Sequence, residues 1–358
     1  MNIKRFIQNR IQTLLEWRFN RYCVRLESTN IKRLRLKELT LEEKQGVKTL
    51  WKTDDYLYHR MFKTLAGFDA RYVSDAVFLP RILRALNPVD MARAFENKSL
   101  YAILYSEIPQ PKTLLMAVGG VILVEGKPVS KQEAIDCLTG RKENFIIKPT
   151  HDSTQGQNVK CINPQKDNVA NVISKYGDDY IVQEVVKQSE KTAVFHRDSL
   201  NTFRISTLNV NGKVSLCNIL FRCGRNGNSV DNGGAGGLMC GVMPDGHFKK
   251  TAYDKYYKTY TETDDGVRFE ECYILEIPVM VELVKKWHGE RLPHVGFAGW
   301  DIALDENNIP VMIEVNLRWP GIQFEQLCSE TPLFGERTQE VIEYTERHPL
   351  SLLDVCSI

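Results

Sequence analysis

Apolar residues recur along this chain in two periods. Near the start, Ile3, Phe6, Ile7, Ile11, Leu14, Leu15, Phe19 and Tyr22 fall at helical spacing, so the first residues predict an amphipathic helix. Thr40-Leu41-Glu42-Glu43 has the form of a capped helix start, and Pro80 and Pro88 punctuate later helices, which makes residues 2–96 a helical region. Short apolar runs then take over. Glu143–Pro149, Phe203–Val210, Lys213–Arg222, Val295–Leu304 and Ile309–Asn316 predict strands, with helices over Ser130–Thr139 and Ile274–His288. Asn211-Gly212 is a strong hairpin turn, Glu125-Gly126-Lys127-Pro128 a second turn, and Asp305–Asn308 a four-residue connection. The expected class is α+β. Residues 97–188 form a first α+β unit, 189–346 a second, and 347–358 a tail.

The last hairpin carries the most pointed chemistry. Pairing Leu304 with Ile309 sets Asp301 opposite Met312, and alternation then places Asp301, Glu314 and Asn316 on one face. Two carboxylates and an amide carbonyl suit a hard cation such as Mg²⁺, which takes its remaining oxygens from water and substrate phosphates. The plain alternative is an edge hairpin with a solvated outer face. Phe297, Trp300, Ile302, Val311, Ile313 and Val315 argue against it, because strands so apolar are buried and a buried carboxylate needs a partner or a metal.

Three further segments fit a nucleotide beside that cation. Lys148 ends an apolar strand and is followed by a small, polar loop, His151–Val159, in which Ser153 and Thr154 offer hydroxyls to phosphates. No G-x-x-x-x-G-K-[ST] loop is present, and a strand-end lysine can also be merely solvated. Tyr180–Glu190 passes from apolar to polar, so its backbone could read an adenine edge while Glu190 accepts from the ribose; an ordinary core strand with an acidic end is the alternative. Arg204 and Arg222 stand near the open end of the Asn-Gly hairpin, before the glycine-rich run Gly224–Gly241 that contains Asn232. Guanidinium forks suit a transferring phosphoryl group and a carboxylate. Strict pairing across the two-residue turn, however, sets Arg204 opposite Ile219 and Arg222 opposite Asn201, on opposite faces unless a bulge intervenes.

In this order the segments resemble the ATP-grasp superfamily of carboxylate–amine ligases, from about Asn97 to about Glu346. The wording of Leu292–Leu304, of Ile313–Gly321 and of Ser199-Leu200-Asn201-Thr202-Phe203-Arg204 is most similar to its sugar-transfer associated branch, whose genes often accompany those for surface polysaccharides. The resemblance implies the ATP-grasp fold, two α+β subdomains clasping ATP, here preceded by the helical region. It assigns Lys98, in Asn97-Lys98-Ser99, and Lys148, in Ile147-Lys148-Pro149, to the ATP phosphates. It puts Gln183, Glu184 and Val186 at the adenine, Glu190 at the ribose, Asp301, Glu314 and Asn316 on the metal, and Arg204, Arg222 and Asn232 at the reacting phosphoryl and substrate. The sequence departs from the commoner pattern in its glycine-poor phosphate loop, where Ser153 and Thr154 stand in for glycine amides. ATP with Mg²⁺, or Mn²⁺ in its place, would support a carboxylate attack on the γ-phosphorus and capture of the acylphosphate by an amine. A small-molecule or glycan acid and an amine are the implied co-substrates.

Composition leaves that picture intact and adds one feature. With 43% hydrophobic and 26% charged residues among 358, the chain has material for two or three packed units. Net charge is only +2, yet Met1–Lys37 holds ten Lys or Arg against Glu16 and Glu27. A basic amphipathic helix there lies on an anionic membrane surface, binds a partner or an anionic glycan, or packs on its own protein with a solvated face. No nucleic-acid motif accompanies it, no segment reaches membrane-spanning length, and signal-peptide character is poor. Nine cysteines without a C-x-x-C pair fit a reducing cytosol, so the expected location is cytoplasmic, with peripheral contact at the inner membrane face. His151 is the one histidine near the expected phosphates, and a loop hydrogen bond is its simplest role. Two rival functions stay open: a kinase of the same fold acting on a hydroxyl, and a non-catalytic ATP-binding scaffold.

Overall fold

The computed structural model describes residues 10, 13–14, 29–151, 158–225 and 236–349. Ser153, Thr154, Asn232, most of the predicted basic helix and the tail beyond Pro349 lie outside the described residues.

The helical region forms as its caps dictate. Helix α1 (Leu41–Trp51) starts at a complete capping box between Thr40 and Glu43, and α2 (Leu57–Leu65) follows. The run Asp75–Leu86 widens into a π turn over Phe78–Ile82 that contains Pro80, whose missing N–H cannot continue an α ladder. Pro88 then caps α3 (Val89–Glu96). Trp51, Phe78, Ile82 and Leu86 pack against Leu208, Val210 and Phe297, so these helices share a core with the second sheet. The buried Asn87 side chain fixes the join: its amide donates to the Phe297 and Leu317 carbonyls at 2.8 and 2.7 Å, and its oxygen accepts from the Gly296 and Phe297 amides.

Two antiparallel sheets follow. The first comprises β1 (Thr113–Val118), β2 (Val121–Val124), β3 (Lys127–Val129), β4 (Phe145–Pro149), β5 (Lys160–Ile162) and β6 (Tyr180–Glu184), in the order β3-β2-β1-β6-β4-β5. Helix α4 (Lys131–Thr139), opened by a Ser130–Glu133 capping box, buries Ala134 and Leu138 against Leu115, Phe145, Ile147 and Val182.

The second sheet comprises β7 (Thr202–Val210), β8 (Lys213–Cys223), β9 (Leu238–Val242), β10 (Phe248–Tyr253), β11 (Thr259–Tyr260), β12 (Phe297–Leu304) and β13 (Pro310–Asn316), in the order β11-β10-β9-β8-β7-β12-β13. Its two faces are used differently. Phe203, Ile205, Trp300 and Ile302 pack on helix α5 (Ile277–Arg291) through Ile277, Met280 and Trp287. The opposite face, carrying Leu208 and Phe297, meets the helical region; α6 (Gln323–Ser329) and α7 (Thr338–Arg347) also pack on this sheet. Asn211 and Gly212 adopt φ of 55° and 75°, the mirror-image turn that a tight hairpin needs. The expected α+β class is what forms.

Candidate active site

Two irregularities of register build the site, and both correct the strict alternation expected from sequence. In the β12–β13 hairpin Leu304 pairs with Pro310, and a register shift between Asp301 and Ile302 sets Asp301 opposite Glu314, not Met312. In the β7–β8 hairpin a shift between Ile205 and Thr207 sets Arg204 opposite Leu220 and Arg222 opposite Thr202, replacing the Ile219 and Asn201 pairings. One extra residue in β8 brings both arginines to the same face. Asp301 also lies directly opposite Arg204 across β12–β7. Gly299 leaves room for that arginine, since a Cβ there would sit 3.2 Å from Arg204 Cδ.

The result is a buried charge cluster. Arg204 donates through Nε to Asp301 and through Nη2 to Asp301 Oδ2 at 3.0 Å, and Arg222 Nη2 reaches the same oxygen at 3.0 Å. Arg222 is steadied by Thr202, whose hydroxyl accepts from its Nε and Nη2. Lys98 Nζ donates to Glu314 Oε1 at 2.7 Å, and the Lys98 amide donates to the Thr150 carbonyl just beyond β4, which seats the two sheet units together at the lysines. Lys148 sits buried within range of the Lys98, Glu314 and Asp301 charges.

Burial would raise the Asp301 carboxyl, but the charges of Arg204 and Arg222 win and hold it at about 2. Lys148 moves the other way: burial, and then the Lys98 charge, push it down to about 8. A polyphosphate bound beside Lys148 would reverse that push. Adding Mg²⁺ and ADP near pH 8 is therefore expected to draw about half a proton onto the protein, measurable by titration calorimetry in buffers of different ionisation enthalpy. Binding with no buffer dependence would rule out Lys148 as a phosphate contact.

The metal-type donors converge. Asn316 Nδ2 lies 3.4 Å from Asp301 Oδ2 and 3.3 Å from the Gly299 carbonyl, on the face where Asp301 and Glu314 are cross-strand neighbours. Two carboxylates and an amide carbonyl are donor types that Mg²⁺ takes, and a cation held there would replace the arginine partners of Asp301 and the Lys98 partner of Glu314. Among the described residues no group of three or more His, Cys, Asp or Glu offers a competing site. The outer edge of β13 is held residue by residue: Met312 N donates to the Pro109 carbonyl, Val315 N to Tyr101 Oη, and Leu317 N and Arg318 N to Glu96 Oε2. An edge strand with its N–H groups so satisfied keeps Glu314 and Asn316 in place.

The expected nucleoside contacts lie on the segment linking the sheets. Gln183 is buried and donates to the Pro111 carbonyl, while the Glu184 carboxylate stands 3.5 Å from Arg141 and its amide donates to Lys112. Val186 follows the end of β6, and Gln188 and Ser189 attach to Asp305 and Leu304 at the tip of the β12–β13 hairpin. Glu190 is exposed and paired with Arg197 at 2.9 Å.

Sequence reading missed Glu325. It is fully buried on α6, its Oε1 is 3.8 Å from Arg204 Nη1, and neither of its oxygens completes a hydrogen bond, although the Ser206 hydroxyl lies near. An acid in a Gln-Phe-Glu-Gln helical run carries no signal of its own. Burial lifts Glu325 to about 7 against the attraction of Arg204. The folded state thus holds a proton that the unfolded state releases between about pH 4.5 and 7, so this group costs stability as pH rises through that window. Glu325→Gln is expected to stabilise the protein at pH 8 by on the order of 2 kcal/mol and to change little at pH 4.5. Equal urea-unfolding shifts at both pH values would contradict this.

Residues 80–342 match the family described as sugar-transfer associated ATP-grasp. Similar solved structures include the D-cycloserine synthetase DcsG, 14% identical over 73% of this chain and 73% of that one with a TM-score of 0.42. The D-alanyl-alanine synthetase A of Vibrio cholerae O1 biovar eltor str. N16961 is 12% identical over 72% and 66% of the two chains, TM-score 0.43. The L-amino acid ligase from Bacillus licheniformis is 14% identical over 74% and 50%, TM-score 0.39. No curated protein matches the chain.

Proposed function

The chain belongs to the sugar-transfer associated ATP-grasp family, and we propose that it is an ATP- and Mg²⁺-dependent ligase that joins a carboxylate to an amine through an acylphosphate. The observation that carries this reading is the meeting of Lys98, Lys148, Arg204 and Arg222 with Asp301, Glu314 and Asn316 where the two sheet units join. Four basic side chains gathered at one place suit a polyphosphate, whose negative charge they can share.

In this reading residues 97–188 and 189–346 clasp the nucleotide. Lys98 and Lys148 hold its phosphates, with Ser153 and Thr154 contributing hydroxyls. Gln183, Glu184 and Val186 border the adenine. Glu190 takes the ribose; its exposed pairing with Arg197 is worth little in water and exchanges readily. Asp301, Glu314 and Asn316 hold Mg²⁺, or Mn²⁺ in its place, which when bound screens the phosphate charge. Arg204 and Arg222, with Asn232, face the moving phosphoryl group and the acid. A carboxylate oxygen of the substrate attacks the γ-phosphorus and the bridging oxygen leaves with ADP. The amine nitrogen then attacks the acyl carbon, phosphate departs, and the amine proton passes to solvent. Positioning and fixed charge supply the acceleration, so no protein nucleophile is needed.

The acid is a small molecule or a glycan, as in surface polysaccharide modification, and the enzyme works in the cytoplasm with Met1–Lys37 resting on the inner membrane face. Among the described residues no helix is long and apolar enough to cross a membrane. Candidate acids, amino acids and uronic acids among them, incubated with Mg²⁺, ATP and hydroxylamine are expected to yield a hydroxamate together with ADP and phosphate. A phosphorylated hydroxyl product and no hydroxamate would make the protein a kinase, and no ADP with any acceptor would make it a scaffold.

A further inference from the structure

Glu325 is fully buried, belongs to none of the roles above, and sits against an arginine that does. Neither of its oxygens completes a hydrogen bond, and the buried Ser206 hydroxyl beside it completes none either. A buried acid so under-bonded costs stability, which fits a side chain whose partner arrives only in a second arrangement. Its mounting is firm. The neighbouring Gln326 side chain ties α6 down, accepting from the Val73 and Leu333 amides at 3.1 Å and donating to the Val73 carbonyl at 2.9 Å. Any adjustment between the acid and the arginine therefore falls to Arg204.

Arg204 meets two carboxylates with different edges of one guanidinium. Nε and Nη2 donate to Asp301, while Nη1 stands 3.8 Å from Glu325 Oε1, about 1 Å beyond a hydrogen bond. A cation that takes Asp301 removes the first partner from both arginines. Arg222 keeps the Thr202 hydroxyl, whereas the carboxylate still at ion-pair distance from Arg204 is Glu325.

We propose that Glu325 is a positioning residue for Arg204: when the cation draws Asp301 away, the guanidinium closes onto Glu325 through Nη1, and its Nε and Nη2 edge is left facing the phosphoryl group. An arginine anchored from behind keeps its fork aimed at developing charge. The inference rests on the metal-dependent ligase reading above.

Binding of Mn²⁺ in the presence of ADP, followed by the electron paramagnetic resonance of free Mn²⁺, tests it without turnover. The full chain is used at pH 8, where Glu325 is mostly ionised. Glu325→Gln keeps the shape of the side chain and removes its charge, and is expected to weaken Mn²⁺ binding tenfold or more. Arg204→Gln takes away the group through which Glu325 acts, so in that background the same change is expected to move the affinity less than twofold. Mn²⁺ binding by Glu325→Gln within twofold of the parent would overturn the proposal and leave the ligase reading standing. So would an equal loss in both backgrounds, since Glu325 would then act by its field and not through Arg204. Crystals of the parent with Mn²⁺ and a non-hydrolysable ATP analogue need no variant: Arg204 Nη1 within about 3.2 Å of a Glu325 oxygen is expected, and a guanidinium turned away from Glu325 would overturn the proposal. No Mn²⁺ binding by the parent with ADP would remove the ligase reading and this proposal with it.

Discussion

Glu314→Gln is expected to lower ATP turnover by about a hundredfold or more while leaving the fold intact. The substitution keeps the shape of the side chain and an oxygen for Lys98 Nζ, which donates to it at 2.7 Å, but removes the negative charge offered to the cation. Glu314→Ala is also expected to abolish turnover, yet it removes the ion pair of Lys98, whose side chain is 4% exposed, and so mixes a stability cost into the result. The glutamine variant separates the two effects. ADP formation with a productive acid and amine, alongside a thermal melt, makes the comparison; undiminished ATP consumption would refute the metal role of Glu314.

Arg204→Lys is expected to reduce kcat by about a hundredfold or more with a much smaller change in the KM for ATP. The positive charge survives, but the fork does not. Arg204 uses Nε and Nη2 on the two oxygens of Asp301 while Nη1 points toward Glu325, and one ammonium cannot keep that geometry. Lysine therefore leaves the phosphoryl-facing charge misplaced and the buried Asp301 held mainly by Arg222, with Asn316 beside it. Steady-state kinetics decide the matter: an unchanged kcat would make Arg204 a structural partner of Asp301 and nothing more.

The sequence made most of the architecture legible because it is written in local signals. Thr40–Glu43 and Ser130–Glu133 show their capping boxes, and Asn211-Gly212 its turn. That Asp301, Glu314 and Asn316 lie together is legible for a similar reason: polar residues interrupt otherwise apolar strands on one hairpin. Register is not written so plainly. A single extra residue in β8 and a shift beside Asp301 decide which side chains meet, and such bulges are settled by packing against α5, α6 and the helical region, far away in sequence. Glu325 stayed hidden because its importance comes wholly from where α6 lies, over Arg204, and the clamps of Asn87, Glu96 and Tyr101 are likewise tertiary contacts between distant residues.

The family membership and the charge cluster lead to one proposed arrangement: a divalent cation between Asp301, Glu314 and Asn316, beneath phosphates gripped by Lys98 and Lys148. Crystals of the protein grown with MnCl₂ and a non-hydrolysable ATP analogue, measured at the manganese absorption edge, test it most directly. An anomalous peak within about 2.3 Å of oxygens from those three side chains, with the phosphates against both lysines, is the expected result. A manganese peak bound elsewhere, with Asp301 still paired to Arg204 and Arg222 in the presence of the nucleotide, would contradict it.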